Sequence, residues 1–202
     1  MRIKMISKLS ILSAFLVSCI PLATNGTPVT TPKDELSVGI GLGGGIVSFS
    51  PDGAAPLLVL PTVSVRYGLS ENTDIGFSGY PIFGILNTDI KFRFSPYAAL
   101  ISGIGFSYLY IGDDIDIGIL SIVPNFGLGF GNERFYISPR FIYFVSSTRD
   151  TTIFSPLILQ TSFGLTLGKF IKFNPEMGFY IPLEGKSSAF YFSFGVFYMP
   201  SR

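Results

Sequence analysis

From Leu36 onward, large apolar residues alternate with small or polar ones at a period of two along almost the whole chain. In V-S-V-R-Y, Val63, Val65 and Tyr67 share one parity, with Ser64 and Arg66 on the other. After Gly68 to Asn72 the alternation resumes, with Ile75 and Phe77 against Asp74, Gly76 and Ser78. Successive side chains of a strand point to opposite faces, so two such runs around a Gly/Ser/Asn turn predict an antiparallel hairpin. The unit recurs and predicts ten strands, at 36–49, 57–67, 73–83, 88–94, 97–111, 117–130, 134–145, 159–167, 171–181 and 189–198. The fourth is the cleanest test of facing, with Ile90, Phe92 and Phe94 opposite Asp89, Lys91 and Arg93. The fifth is the least regular.

Such strands make either a soluble sandwich, apolar face inward, or a membrane barrel, apolar face outward. Composition separates the two. At 48% hydrophobic, 13% charged and a mean hydropathy of +0.51, the chain is greasier than a usual soluble domain. Ser, Gly, Asp, Lys or Arg interrupts every apolar stretch beyond the N-terminus, so no helical span of about 18 residues is available. The second face is not the Lys/Glu-rich surface of a soluble sheet. It is mostly Gly, Ser, Asn, Gln and Tyr with scattered charges of both signs, which suits a confined interior. The apolar face draws on 21 Phe and 10 Tyr, as a lipid-facing wall with aromatic girdles does, although Trp is missing. The expected fold is all-β: an antiparallel up-and-down transmembrane β-barrel of about ten strands, eight being the alternative.

Connection lengths agree. The links around Glu71, Pro96, Asn132 and Lys169 are short turns, and those around Asp52, Asp114, Asp150 and Lys186 are longer and polar, with the link around Leu86 an exception. Short turns at one end and longer loops at the other, with an even strand count, are features of outer-membrane barrels. With its R-Y-G-L-S-E-N-T-D-I-G hairpin, the stretch from Leu36 to Tyr198 resembles the small outer-membrane β-barrel proteins. The resemblance implies the bacterial outer membrane, contact with its lipid, and insertion by the barrel-assembly machinery. Members of that group end on an aromatic residue, whereas here Phe197 and Tyr198 are followed by Met199, Pro200, Ser201 and Arg202.

Ahead of the barrel, Arg2, Lys4 and Lys8 precede an apolar stretch at 9–17, the layout of a secretory signal peptide. Leu16-Val17-Ser18-Cys19 resembles the lipobox of bacterial lipoproteins, which implies that Cys19 becomes the lipidated first residue of the mature chain. The domains are therefore read as a signal peptide at 1–18, a flexible tether at 19–35 and the barrel at 36–199. Residues 20–35 are rich in Pro and Thr, without periodicity and with little apolar surface to order them. Asn25-Gly26-Thr27 matches a glycosylation sequon and is read as coincidence.

The chemistry expected of this chain is sparse. There is no histidine, the usual base of the enzymes built on such barrels, so a non-enzymatic role is expected. Gly39-x-Gly41-x-x-Gly44 matches a dinucleotide fingerprint without the helix and acidic residue that the motif needs, and is read as strand curvature. Asp113, Asp114 and Asp116 lack the spacing and the terminal Glu of a calcium loop. With a single Cys, a net charge of +1 and no basic block, neither a disulfide framework, a cofactor nor nucleic acid is expected.

What remains is a set of charges on the polar parity: Arg66, Asp74, Asp89, Lys91, Arg93, Arg134, Arg140, Lys172 and Glu176, six cations against three anions. One reading makes them ion pairs that fill and lock a narrow lumen, with Tyr108, Tyr136, Tyr180 and Tyr191 beside them. Another makes them the lining of a narrow, weakly anion-preferring pore. A third reading of the whole chain is a soluble lipocalin-like binder on a lipid tether.

Overall fold

A computed structural model of the chain describes residues 27–49, 59–80, 85–111, 117–147, 152–154, 157–183 and 188–199. Its strands are β1 (Leu36–Phe49), β2 (Val59–Ser70), β3 (Thr73–Tyr80), β4 (Ile85–Ser95), β5 (Ala98–Ile111), β6 (Ile117–Gly131), β7 (Phe135–Ile142), β8 (Val145–Ser147), β9 (Thr152–Phe154), β10 (Ile158–Leu165), β11 (Ile171–Pro182) and β12 (Ser188–Tyr198). Each barrel strand pairs antiparallel with its sequence neighbours. β1 pairs with β12, which brings the first and last strands together and closes the sheet without a free edge.

The twelve segments form ten staves. β8 continues β7, because Asn125↔Ile142 and Ile122↔Val145 lie on one unbroken register against β6. The gap between them sits opposite Pro124, which has no N–H to give to the ladder. The reciprocal bond survives, from the Tyr143 N–H to the Pro124 carbonyl at 3.1 Å. β9 and β10 flank this stave on its other side, against β8 and β7 respectively, and make one stave between them. The fold is thus a closed, ten-stave antiparallel barrel.

Facing follows parity. Phe92, Phe141 and Phe179 are 47%, 45% and 40% exposed, while Arg140 and Glu176 are 2% and 4% exposed. Exposed apolar side chains occur all round the wall, including Ile40 on β1, Val63 on β2, Phe77 on β3, Phe106 on β5, Phe126 on β6 and Phe194 on β12. A soluble monomer seldom exposes a contiguous apolar patch above roughly 300–600 Å². A belt round every stave is instead the outer face of a membrane-spanning barrel.

Two local expectations are corrected. The link expected around Leu86 lies earlier: β4 begins at Ile85, and Leu86 pairs with Gly79 and Phe106 because it continues the outward parity of Thr88 and Ile90. On the irregular β5, Tyr108 points outward at 57% exposure while Ile101 is wholly buried inside, so Tyr108 does not fill the lumen.

Candidate functional site in the barrel lumen

The short turns β2–β3, β4–β5, β6–β7 and β10–β11 lie at one end of the barrel, together with the start of β1 and the end of β12. Just inside this end, alternation on β2, β3 and β4 aims Arg66, Asp74, Asp89 and Lys91 at one another. The Arg66 guanidinium bridges two carboxylates, with Nη2 donating to Asp74 Oδ1 at 2.5 Å and to Asp89 Oδ1 at 2.7 Å, and Nε donating to Asp74 at 3.1 Å. Gly76, directly across the ladder from Arg66, leaves the space that the guanidinium fills. Lys91 pairs across the ladder with Asp74 and is 1% exposed.

A second cluster lines the wall formed by the neighbouring staves β7, β10, β11 and β12. The Tyr136 hydroxyl donates to Glu176 Oε2 at 2.5 Å and lies 3.0 Å from Asn174 Oδ1. Tyr191 donates to the other carboxylate oxygen of Glu176 at 3.0 Å. Gln160 Nε2 then donates to the hydroxyls of Tyr191 and Tyr180, both at 3.1 Å. Arg140 lies between the two clusters, within electrostatic reach of Asp89 and of Tyr136. The buried carboxylates thus have charged or hydroxyl partners, which is what makes burial tolerable in a low-dielectric interior.

Towards the longer-loop end an apolar cluster of Tyr80, Val123, Ile142, Phe144, Ile158 and Ala189 packs beneath Tyr180 and Tyr191, while the β4–β8 side keeps hydrogen-bonded polar pairs, Asn87 with Asn125 and Ser121 with Ser146. Parity alone did not single out this layer. Its signal is the stretch F-I-Y-F-V at 141–145, which is apolar on both faces and so marks where the inside is greasy as well as the outside.

The lumen also holds a piece of chain that composition assigned to the flexible tether. Thr30 and Thr31 are wholly buried and Thr27 nearly so, within the short-turn mouth. The Thr31 N–H donates to Asp74 Oδ2 at 2.7 Å, and Lys91 Nζ donates to the Val29 carbonyl at 3.1 Å. The expectation of an unordered chain as far as residue 35 therefore fails for residues 27–35. It considered only apolar surface, whereas this segment is held through its main chain by charged partners.

Two of the nine expected lumen charges lie elsewhere, and a third stays at the mouth. Arg93 is a clamp on the β2–β3 turn, bonding the Asn72 side chain at 3.0 Å and the Glu71 carbonyl at 3.0 Å. Arg134 is exposed beside the β6–β7 turn, and Lys172 is half-buried at the mouth, where its Nζ meets Met199 Sδ at 3.3 Å. Parity correctly reports the face, but depth along the barrel decides whether a side chain reaches the interior or the rim. Among the described residues the buried charges are then Arg66, Lys91 and Arg140 against Asp74, Asp89 and Glu176, so the apparent cation excess disappears.

Two small cavities lie among the described residues. A cavity of about 20 Å³ lies by Tyr80, Glu176 and Phe197, and one of about 30 Å³ lies at the mouth by Lys91, Lys172 and Phe197. Each has room for roughly one or two water molecules. Phe197, an inward aromatic, borders both. Cys19, the signal peptide and Asp113, Asp114 and Asp116 lie outside the described residues. No group of three potential metal ligands occurs among the described residues.

No protein-family model matches the chain, and no curated protein matches it. Solved structures similar to it include the translocator domain of the autotransporter NalP from Neisseria meningitidis, at 11% identity over 98% of both chains with a TM-score of 0.49. Neisserial surface protein A matches at 13% identity over 82% of this chain and 97% of that one, with a TM-score of 0.39. The N-terminal barrel domain of Pseudomonas aeruginosa OprF matches at 11% identity over 82% and 98%, with a TM-score of 0.29. With every one of these scores below one half, the assignment rests on the chain's own hydrogen-bond ladder, closed on itself, and on its apolar exterior: this is a membrane-spanning antiparallel β-barrel.

Proposed function

We propose that this chain is a non-enzymatic bacterial outer-membrane barrel with a locked lumen, whose role is structural or carried by contacts at its surface. The observation that supports the locked reading is the interior itself: among the described residues, three buried cations and three buried anions, with Arg66 bridging two carboxylates on one wall and the Tyr136–Glu176–Tyr191–Gln160 chain filling the wall of β7, β10, β11 and β12. A pore that prefers anions needs uncompensated positive charge along a wet path. Among the described residues this interior offers balanced buried charge, and its buried carboxylates and cations face one another instead of an open path.

In this reading the chain is exported by its signal peptide, lipidated at Cys19 and inserted by the barrel-assembly machinery. The lipocalin-like alternative is disfavoured by the exposed apolar belt, which a soluble binder would carry in water. Single-channel recording in a planar bilayer tests the proposal. The expected result is silence for wild-type protein. A steady conductance whose ion preference changes when Arg140 is replaced by Glu would overturn the locked reading in favour of a pore.

A further inference from the structure

The cross-strand pair Asp74 and Lys91 does something that filling a lumen does not require: it reads a backbone. In an extended segment, the carbonyl of one residue and the N–H of the residue two further on lie on the same edge, which is the edge a neighbouring strand would pair with. Here the Val29 carbonyl and the Thr31 N–H take the Lys91 ammonium and the Asp74 carboxylate as partners. One donor and one acceptor, fixed side by side by the β3–β4 ladder, thus replace the edge of a strand. Thr31, which precedes Pro32, is biased to an extended conformation, and the chain enters this edge after a bend at Pro28.

Apart from one threonine hydroxyl, the rest of the seat is also made of main-chain contacts. Lys33 bridges to Gly68 on the end of β2, and the Asp34 N–H donates to the Gly68 carbonyl at 2.9 Å. Pro32 lies so close over Gly68 that a Cβ at that position would meet its carbonyl. Asp34, at φ 61°, and a bond from the Glu35 N–H to the Pro32 carbonyl at 3.1 Å then reverse the chain out of the mouth and into β1. The Thr30 side-chain hydroxyl donates to the Glu71 carbonyl at 3.2 Å.

We propose that the short-turn mouth is a binding site for an extended, uncharged peptide segment, recognised through its main chain by Asp74 and Lys91, and that residues 27–31 are its resident and displaceable ligand. The site rests on the fold and not on whether the barrel conducts, so it stands or falls separately from the locked reading.

The test uses a chain lacking residues 27–31, folded in detergent and checked by the mobility shift of unboiled barrel on a gel, together with a fluorescent peptide T-P-V-T-T-P. Anisotropy should show the peptide binding this variant at least 10-fold more tightly than the full chain, whose site is filled. N-methylation of the peptide threonine corresponding to Thr31 should weaken binding at least 10-fold, and so should Lys91→Met in the barrel, while alanine in place of the peptide valine should change it less than 3-fold. No binding to a folded variant, or indifference to N-methylation, overturns the proposal. If the shortened chain does not fold, residue-resolved hydrogen exchange on the full chain decides. A Thr31 amide protected in wild type and exchanging at least 10-fold faster in Asp74→Asn supports the site. Exchange of the wild-type amide at an unfolded-peptide rate overturns it.

Discussion

Replacing Arg66 with Met removes the cation between two carboxylates that have almost no access to water. The Asp74 side chain is 0% exposed and that of Asp89 is 7%, and between them they accept three hydrogen bonds from this one guanidinium. Breaking a buried ion pair from one side leaves the other charge desolvated and costs about 3–5 kcal/mol. Lys91 stands next to Asp74 and compensates in part, which puts the expected loss near the lower figure, about 3 kcal/mol. The double variant Arg66→Met, Asp89→Asn leaves Lys91 facing Asp74, restores neutrality to this corner of the lumen, and should recover more than half of the loss. The assay is guanidine titration of the barrel in liposomes, with the folded fraction read by far-UV circular dichroism and by the unboiled gel band, since the chain has no Trp. The reasoning is refuted if the single variant loses less than about 1 kcal/mol, or if the double variant is no more stable than the single one.

In the same titration, Tyr136→Phe leaves one oxygen of the Glu176 carboxylate without its phenol and should cost about 1.5–3 kcal/mol. An equal stability would show that the aromatic layer is only filler. Phe126, half exposed near the middle of β6, is the position for an outward charge: Phe126→Arg should cost about 2–4 kcal/mol in liposomes. A cost near zero would mean that this face does not meet hydrocarbon. Gly76→Val puts a side chain where the Arg66 guanidinium lies, and should destabilise the fold without altering the outer face. Full stability of that variant would mean that the guanidinium can be accommodated elsewhere.

Most of the barrel is legible in the sequence because a wall with two unlike solvents must write its facing into every second residue. Ile90, Phe92 and Phe94 against Asp89 and Lys91 is such a record. Depth along the barrel leaves no comparable trace. Arg93 and Arg134 carry the same parity as Arg66 and Arg140, yet they sit at turns, where the side chain meets carbonyls and water instead of carboxylates. Where both faces are apolar, as at residues 141–145, alternation fades and the pattern no longer separates lipid from lumen. The irregular β5 is the same difficulty in reverse, with Ser102 outside and Ile101 inside. Residues 27–31 were illegible for another reason: what orders them is their backbone, and amides are common to every sequence. Only the paired prolines at 28 and 32 hint at a segment whose backbone is restricted.

The claim on which the account depends is that apolar residues of the wall touch acyl chains while the charged ones are enclosed. A nitroxide scan along β6, placed one residue at a time from 120 to 130 in a Cys19→Ser background and reconstituted in liposomes, measures this directly by comparing collisions with oxygen, which concentrates in hydrocarbon, against a water-soluble nickel complex. The account predicts a period of two, with even-numbered positions such as Ile122, Phe126 and Leu128 dominated by oxygen and odd-numbered positions such as Ser121 and Asn125 poorly reached by either reagent. High nickel collision at Phe126, with its neighbours at 125 and 127 shielded, would contradict it.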